Sequence, residues 1–135
     1  MMPVSCYLCI FLNVGLGEAA KLGAAVGVTG NTGRILIPAL IGGVEQNIIF
    51  QWVSGFLSDS TGVATVTLPM AFPNALFHAT AIDSGASASS WNGSAGTTWG
   101  FDIGGSTRTT VKVRVLRTTS WAGASAAGCL FAIGY

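Results

Sequence analysis

The chain has 135 residues, half of them apolar, with six Lys or Arg against five Asp or Glu and a formal net charge of +1. Charged residues make up 8%, against about 25% in an ordinary globular domain; no basic field exists to attract nucleic acid, and too few charges exist to keep a lone monomer dispersed. Much of the surface is therefore expected to be buried against other copies of the chain.

Residues 1–46 read as an irregular leader and linker. Gly15, Gly17, Gly23, Gly27, Gly30, Gly33, Gly42 and Gly43 recur too often for a stable helix. Cys6-x-x-Cys9 has zinc-like spacing, but it lacks a second pair, and His78 is the chain's one histidine. With Cys129 the cysteines number three, which gives no disulfide framework; they read as reduced, small apolar residues suited to a reducing cytoplasm.

From Asn47 the pattern becomes strand, turn, strand. Strands are expected over about 47–54, 62–68, 75–82, 97–103, 109–117 and 127–134. Turn chemistry at Asp59-Ser-Thr-Gly62, Pro73-Asn74, Gly104-Gly105-Ser106 and Ala122-Gly-Ala-Ser125 separates them. Val111, Val113 and Val115 should point inward and Thr110, Lys112 and Arg114 outward. Six short strands without helical periodicity indicate an all-β, antiparallel β-sandwich. Leu68, Phe72, Val111, Val113, Val115 and Ile133 are its expected core. The charge-free run Ser60–Ile82 is long enough to span a bilayer, but it alternates and contains Pro69, Pro73 and Asn74, which excludes a spanning helix.

The segment Thr65–Ala75, TVTLPMAFPNA, carries the most information. Alternation runs into two prolines that cannot donate to a ladder, so a strand meets a rigid corner with Phe72 as its packing anchor. Together with Ile49-Phe50-Gln51-Trp52, Trp99-Gly100-Phe101 and the closing Ala132-Ile133-Gly134-Tyr135, this segment resembles the tail-fibre C-terminal domain of tailed bacteriophages and prophages. The resemblance covers roughly residues 48–135. Val53 after Trp52, and Phe131 where Trp is common, depart from the pattern conservatively. Asn13–Lys21 and Arg34–Pro38 look like the fibre segment that often precedes such a tip. The apolar opening, Met1–Leu16, has neither a basic n-region nor a small-x-small cleavage site, so a start inside a longer fibre gene explains it better than a signal peptide.

The resemblance implies a leader over 1–46 and a tip domain over 47–135, in an intertwined homotrimer. It also implies a place in the virion tail fibre, after assembly in the bacterial host cytoplasm. The expected partners are the rest of the fibre and a bacterial surface glycan, lipopolysaccharide or outer-membrane protein; neither nucleic acid nor membrane insertion is expected. The alternatives are a purely structural trimerising end-cap or, less simply, a polysaccharide depolymerase.

Asp83–Gly100 is the best binding candidate, with small polar residues around an isolated aromatic. Trp91 can offer a face to a sugar ring, while Ser90, Asn92 and Thr97 can bond hydroxyls. Trp121 in the last loop is a second candidate; Trp99 and Trp52 read as structural. The specificity loops are expected at 83–96 and 119–126. Arg108, Lys112, Arg114 and Arg117 suggest a narrow positive stripe facing phosphate or paired with Asp59, Asp83 or Asp102. No cofactor motif, G-x-S-x-G elbow or metal cluster occurs. A carboxylate pair such as Asp83 and Asp102 would have to stand about 5 to 9 Å apart for glycoside hydrolysis. Non-enzymatic attachment is the expected function.

Overall fold

The computed structural model describes residues 21–84, 97–116 and 125–135. Eight strands are formed: β1 (Val26–Val28), β2 (Thr32–Ile41), β3 (Val44–Leu57), β4 (Val63–Thr67), β5 (Leu76–Asp83), β6 (Thr98–Asp102), β7 (Thr110–Leu116) and β8 (Ala127–Gly134). They make two antiparallel sheets, ordered β1-β2-β3-β8-β5 and β4-β7-β6. The inner faces pack as a sandwich. None of the described helices is long and apolar enough to cross a membrane.

Strands β3 to β8 fall within a few residues of the expected six. Strands β1 and β2 are additional and occupy part of the stretch read as an irregular leader. Glycine there serves strand geometry. Gly42 and Gly43, at φ +60° and +80°, join β2 to β3 in a two-residue turn of the kind that matches strand twist. Gly33 lies under the Trp52 ring, where an added Cβ would come 2.5 Å from Trp52 Cζ2. The Trp52 indole donates to the Gly30 carbonyl at 2.8 Å, tying the start of β2 to β3.

The core alternates large side chains with missing ones. Ile49, Leu68, Phe72, Val66, Val111, Val113 and Leu130 are buried, with Val115 packed against them. Across from the rings, β5 and β8 supply Ala79, Ala132, Gly128 and Gly134. A Cβ on Gly128 would press into the Phe56 ring, and one on Gly134 would come 2.6 Å from Phe72 Cδ1. Ile133 is a correction: it is half-buried and points away from the core. Its neighbours Ala132 and Gly134 take the inner face, and a strand alternates.

One polar side chain sits wholly inside this core. Gln51, fully buried, accepts from the Met70 backbone N–H at 2.8 Å and donates to the Met70 carbonyl at 2.9 Å. It thereby acts as a ladder partner for the proline corner, where no strand can pair. Replacing Gln51 with Leu keeps the volume and strands both Met70 groups. Each unmade bond costs about 1–3 kcal/mol, so urea unfolding should show a loss of about 2–6 kcal/mol. Gln46→Leu, which loses only long contacts to Ile41 and Asn74 at 3.4 and 3.3 Å, should stay within about 0.5 kcal/mol of the parent.

Candidate functional site

The sandwich has two unlike poles. At one, the corner Leu68–Asn74 is pinned from three sides. Leu68 N–H donates to the Thr109 carbonyl at 2.9 Å, Phe72 N–H to that of Arg108 at 2.9 Å, and Asn74 N–H to that of Tyr135 at 2.8 Å. The Arg108 guanidinium returns to the Pro73 carbonyl at 2.5 Å. Tyr135 N–H donates to the Ala75 carbonyl at 3.0 Å, and its ring stacks on Phe77 at 4.9 Å. The backbone N–H groups of Leu68, Phe72, Asn74 and Tyr135 are thus spent on carbonyls of the same chain.

The other pole gathers the segments richest in small polar residues. Strands β3, β5 and β7 end here at Leu57, Asp83 and Leu116, while β4, β6 and β8 begin at Val63, Thr98 and Ala127. Register fixes the coincidence: Leu57 pairs with Ala127, Asp83 with Gly128, Thr98 with Leu116 and Val63 with Arg114. Segments 58–62, 84–97 and 117–126 therefore leave from one rim.

That rim is held by side-chain bonds. Asp83 Oδ2 accepts from Thr97 N–H at 2.9 Å and from its hydroxyl at 2.6 Å, closing the neck of the long segment between them. Ser58, buried, receives the Ala126 N–H at 2.8 Å on its hydroxyl and sends its own N–H to the Ala126 carbonyl at 2.8 Å. Asp59 Oδ1 accepts from Thr61 N–H and hydroxyl and from Val63 N–H, at 2.7–3.0 Å, bridging β3 to β4. Beneath the rim Trp99 is buried edge-on to Phe56, ring centroids 5.1 Å apart.

Of the expected contact residues, Trp91, Asn92, Ser90 and Trp121 lie outside the described residues. Thr97 is described, and it stands at the neck, bonded to Asp83. The rim residues Asp83, Ser58 and Asp59 were not expected to hold the loops. Their signal was an acceptor side chain at each strand end, the usual place for one that competes for backbone N–H groups. Lys112 and Arg114 share the outer face of β7 as expected, and Lys112 lies directly across from Asp102. Arg108 leaves that stripe for the opposite corner, and Arg117 lies outside the described residues. His78 bonds Thr80 at 3.2 Å and meets the Phe101 ring edge-on at 5.6 Å. No group of three or more His, Cys, Asp or Glu gathers among the described residues.

The Thr61 hydroxyl, followed by the Val63 N–H, holds the Asp59 carboxyl below its ordinary value of 3.8. A depressed folded-state value gives a contribution that is present above 3.8 and lost as pH falls through the lower folded value. Asp59→Ala should therefore lower the thermal midpoint at neutral pH. The gap to the parent should close only in acid below 3.8, as followed by circular dichroism across a pH series.

Residues 44–135 match the family model described as "Putative tail fiber protein gp53-like, C-terminal". The "Uncharacterized protein StfP" of Escherichia coli (strain K12) is 52% identical over 66 residues, which are 47% of this chain and 32% of that protein. The N-truncated R2-type pyocin tail fiber shares the fold with a TM-score of 0.63 at 22% identity, over 93% of this chain and 41% of that one. The R2 pyocin fiber of P. aeruginosa, C-terminal residues 323–691, gives the same score over 28% of its chain. This chain thus spans about a third of its curated relative and well under half of those two fibres.

Proposed function

The chain belongs to the gp53-like tail fiber C-terminal family, and from that premise we propose that it is the tip of a phage or prophage tail fibre that binds a bacterial surface receptor. The receptor class is a surface glycan, lipopolysaccharide or outer-membrane protein, and binding is non-covalent attachment to the host. One observation carries the reading: segments 84–97 and 117–126, with their two tryptophans and many Ser, Gly and Asn, spring from a single cross-braced rim. Recognition residues on loops held by a rigid scaffold are the common arrangement for binding. At the opposite pole the backbone N–H groups of Leu68, Met70, Phe72 and Asn74 are each paired within the chain.

The chemistry follows from the residue types. Trp91 and Trp121 supply flat apolar area at low entropy cost, and Ser90, Asn92 and Thr97 supply hydrogen bonds around it. Thr97 can contribute because its neck position, bonded to Asp83, fixes where the adjoining residues start. Copies of the chain in a homotrimer on a fibre, and several fibres on a particle, turn weak individual sites into firm attachment. The virion tail fibre is the corresponding location, and the rest of the fibre is the structural partner. No catalytic step is assigned: Asp83 is committed to Thr97, and Asp102 Oδ1 accepts from Gly105 N–H at 2.9 Å within its own turn.

Trp91→Ala should weaken each site by about 2 kcal/mol, a loss that avidity multiplies to near-abolition of attachment. The check is adsorption of the purified, folded chain to a panel of bacterial strains, with the parent chain beside it. Unchanged adsorption by the variant would remove Trp91 from the site and favour a purely structural end-cap.

A further inference from the structure

Two of the chain's six basic residues stand together on the outer face of the three-stranded sheet. Val111 and Val113 on β7 are fully buried, so alternation turns Lys112 and Arg114 away from the core. Register sets them in adjacent rows: Val63, Arg114 and Gly100 in one, Thr65, Lys112 and Asp102 in the next. The Arg114 row borders the rim, since Val63 begins β4 and β7 ends at Leu116. Arg114 is exposed, and its guanidinium has no hydrogen-bond or ion-pair partner among the described residues. Its row neighbours cannot supply one, because Val63 is apolar and Gly100 has no side chain. Leu116 lies over Gly100, where an added Cβ would come 3.0 Å from its Cδ2. Asp102 lies across from Lys112, yet the two form no ion pair, and its Oδ1 accepts from the Gly105 N–H at 2.9 Å. Arg108 is the contrast: its guanidinium is taken up by the Phe72 and Pro73 carbonyls.

We propose that Arg114 and Lys112 form a phosphate subsite on the outer shoulder of the rim, and that its occupant is a phosphate group carried by the surface glycan the rim binds. The glycan as carrier rests on the receptor reading; the subsite rests on the placement of two cations without partners. Alternate residues of a strand lie about 7 Å apart on one face, close enough for two long side chains to converge on one phosphate. The planar guanidinium forks onto two oxygens, and the ammonium adds a point charge. Phosphate satisfies both at once because it has three oxygens to share between them, where a carboxylate has two. The Thr65 hydroxyl, beside Lys112, is a further donor. A chain with 8% charged residues and a formal net charge of +1 has no broad field to gather anions from a distance. The phosphate must therefore be brought to this shoulder by a glycan already held at the rim, which makes the subsite a selector among glycans. An exposed, unpaired cation adds little to folding, so removing it should be read in binding and not in stability.

The test measures binding of the full chain to immobilised lipopolysaccharide from the strains to which the parent adsorbs. One sample is native and the other is dephosphorylated with aqueous hydrogen fluoride. The parent should bind the native form on the order of tenfold more tightly. The paired change Arg114→Gln with Lys112→Gln should bind the native form as weakly as the parent binds the dephosphorylated one, with an unchanged circular dichroism spectrum. Arg114→Lys, which keeps the charge and loses the fork, should fall between. A folded double variant that binds native lipopolysaccharide as tightly as the parent would overturn the proposal. So would a parent indifferent to dephosphorylation. Should the variants fail to fold, phenylglyoxal modification of the parent decides: native lipopolysaccharide should protect Arg114 and the dephosphorylated form should not, and equal modification would contradict the assignment. A parent that adsorbs to cells whose lipopolysaccharide it does not bind defeats this proposal and leaves the receptor reading standing. A parent that adsorbs to no strain defeats the receptor reading, and the subsite with it.

Discussion

The arrangement depends on one amide. Gln51 stands in the middle of β3 with its side chain wholly buried, and both of its polar atoms are used on Met70. The prolines on either side of Met70 and Phe72 stop the chain from continuing as a strand, so the corner cannot draw its bonds from a neighbour in a sheet. A buried amide with both ends paired replaces that ladder at little net cost, whereas a half-paired one would be a liability. Once Met70 is fixed, Phe72 drops into the core. Its ring and the Ala75 carbonyl together leave no room for a side chain on Gly134, and Tyr135 then closes over Ala75. The four separated motif pieces are thus consequences of a single packing problem. Gln51 meets the corner, the corner delivers Phe72, and Phe72 requires the closing glycine; Trp99 fills the far end of the same core.

This explains why the two ends differ so much. At the corner the backbone N–H groups of Leu68, Met70, Phe72 and Asn74 are paired within the chain and the rings are packed. At the rim, stability comes instead from short side chains at strand ends: Asp83 on Thr97, Ser58 on Ala126, Asp59 on Thr61 and Val63. Such bonds fix where a loop starts and stops without dictating its middle.

Much of the fold was legible in the residues. The strands from β3 onward announce themselves by alternation bounded by Gly, Pro, Asn and Asp, and Phe72 between prolines marks the corner. Strands β1 and β2 were not legible, because the glycines that look like a linker have specific tasks. Gly33 makes room for the Trp52 ring, and Gly42 with Gly43 makes the tight turn. Nothing local distinguishes a glycine required by a distant indole from one in a flexible leader. Ile133 failed as a core residue for a related reason. In a strand apolar on both faces, alternation no longer says which face points inward; the register with Phe50 does. At the site, composition pointed to 83–96 and 119–126 as the recognition loops. It was the pairing of distant strand ends that brought their anchors to one rim.

The central claim is a division of labour between the poles, and footprinting the folded full chain on bacterial cells it adsorbs to tests it most directly. Covalent labelling with and without cells, read by mass spectrometry, should show protection concentrated at 58–62, 84–97 and 117–126, with the corner 68–75 labelled equally in both. Protection at the corner and none at the rim would contradict the account.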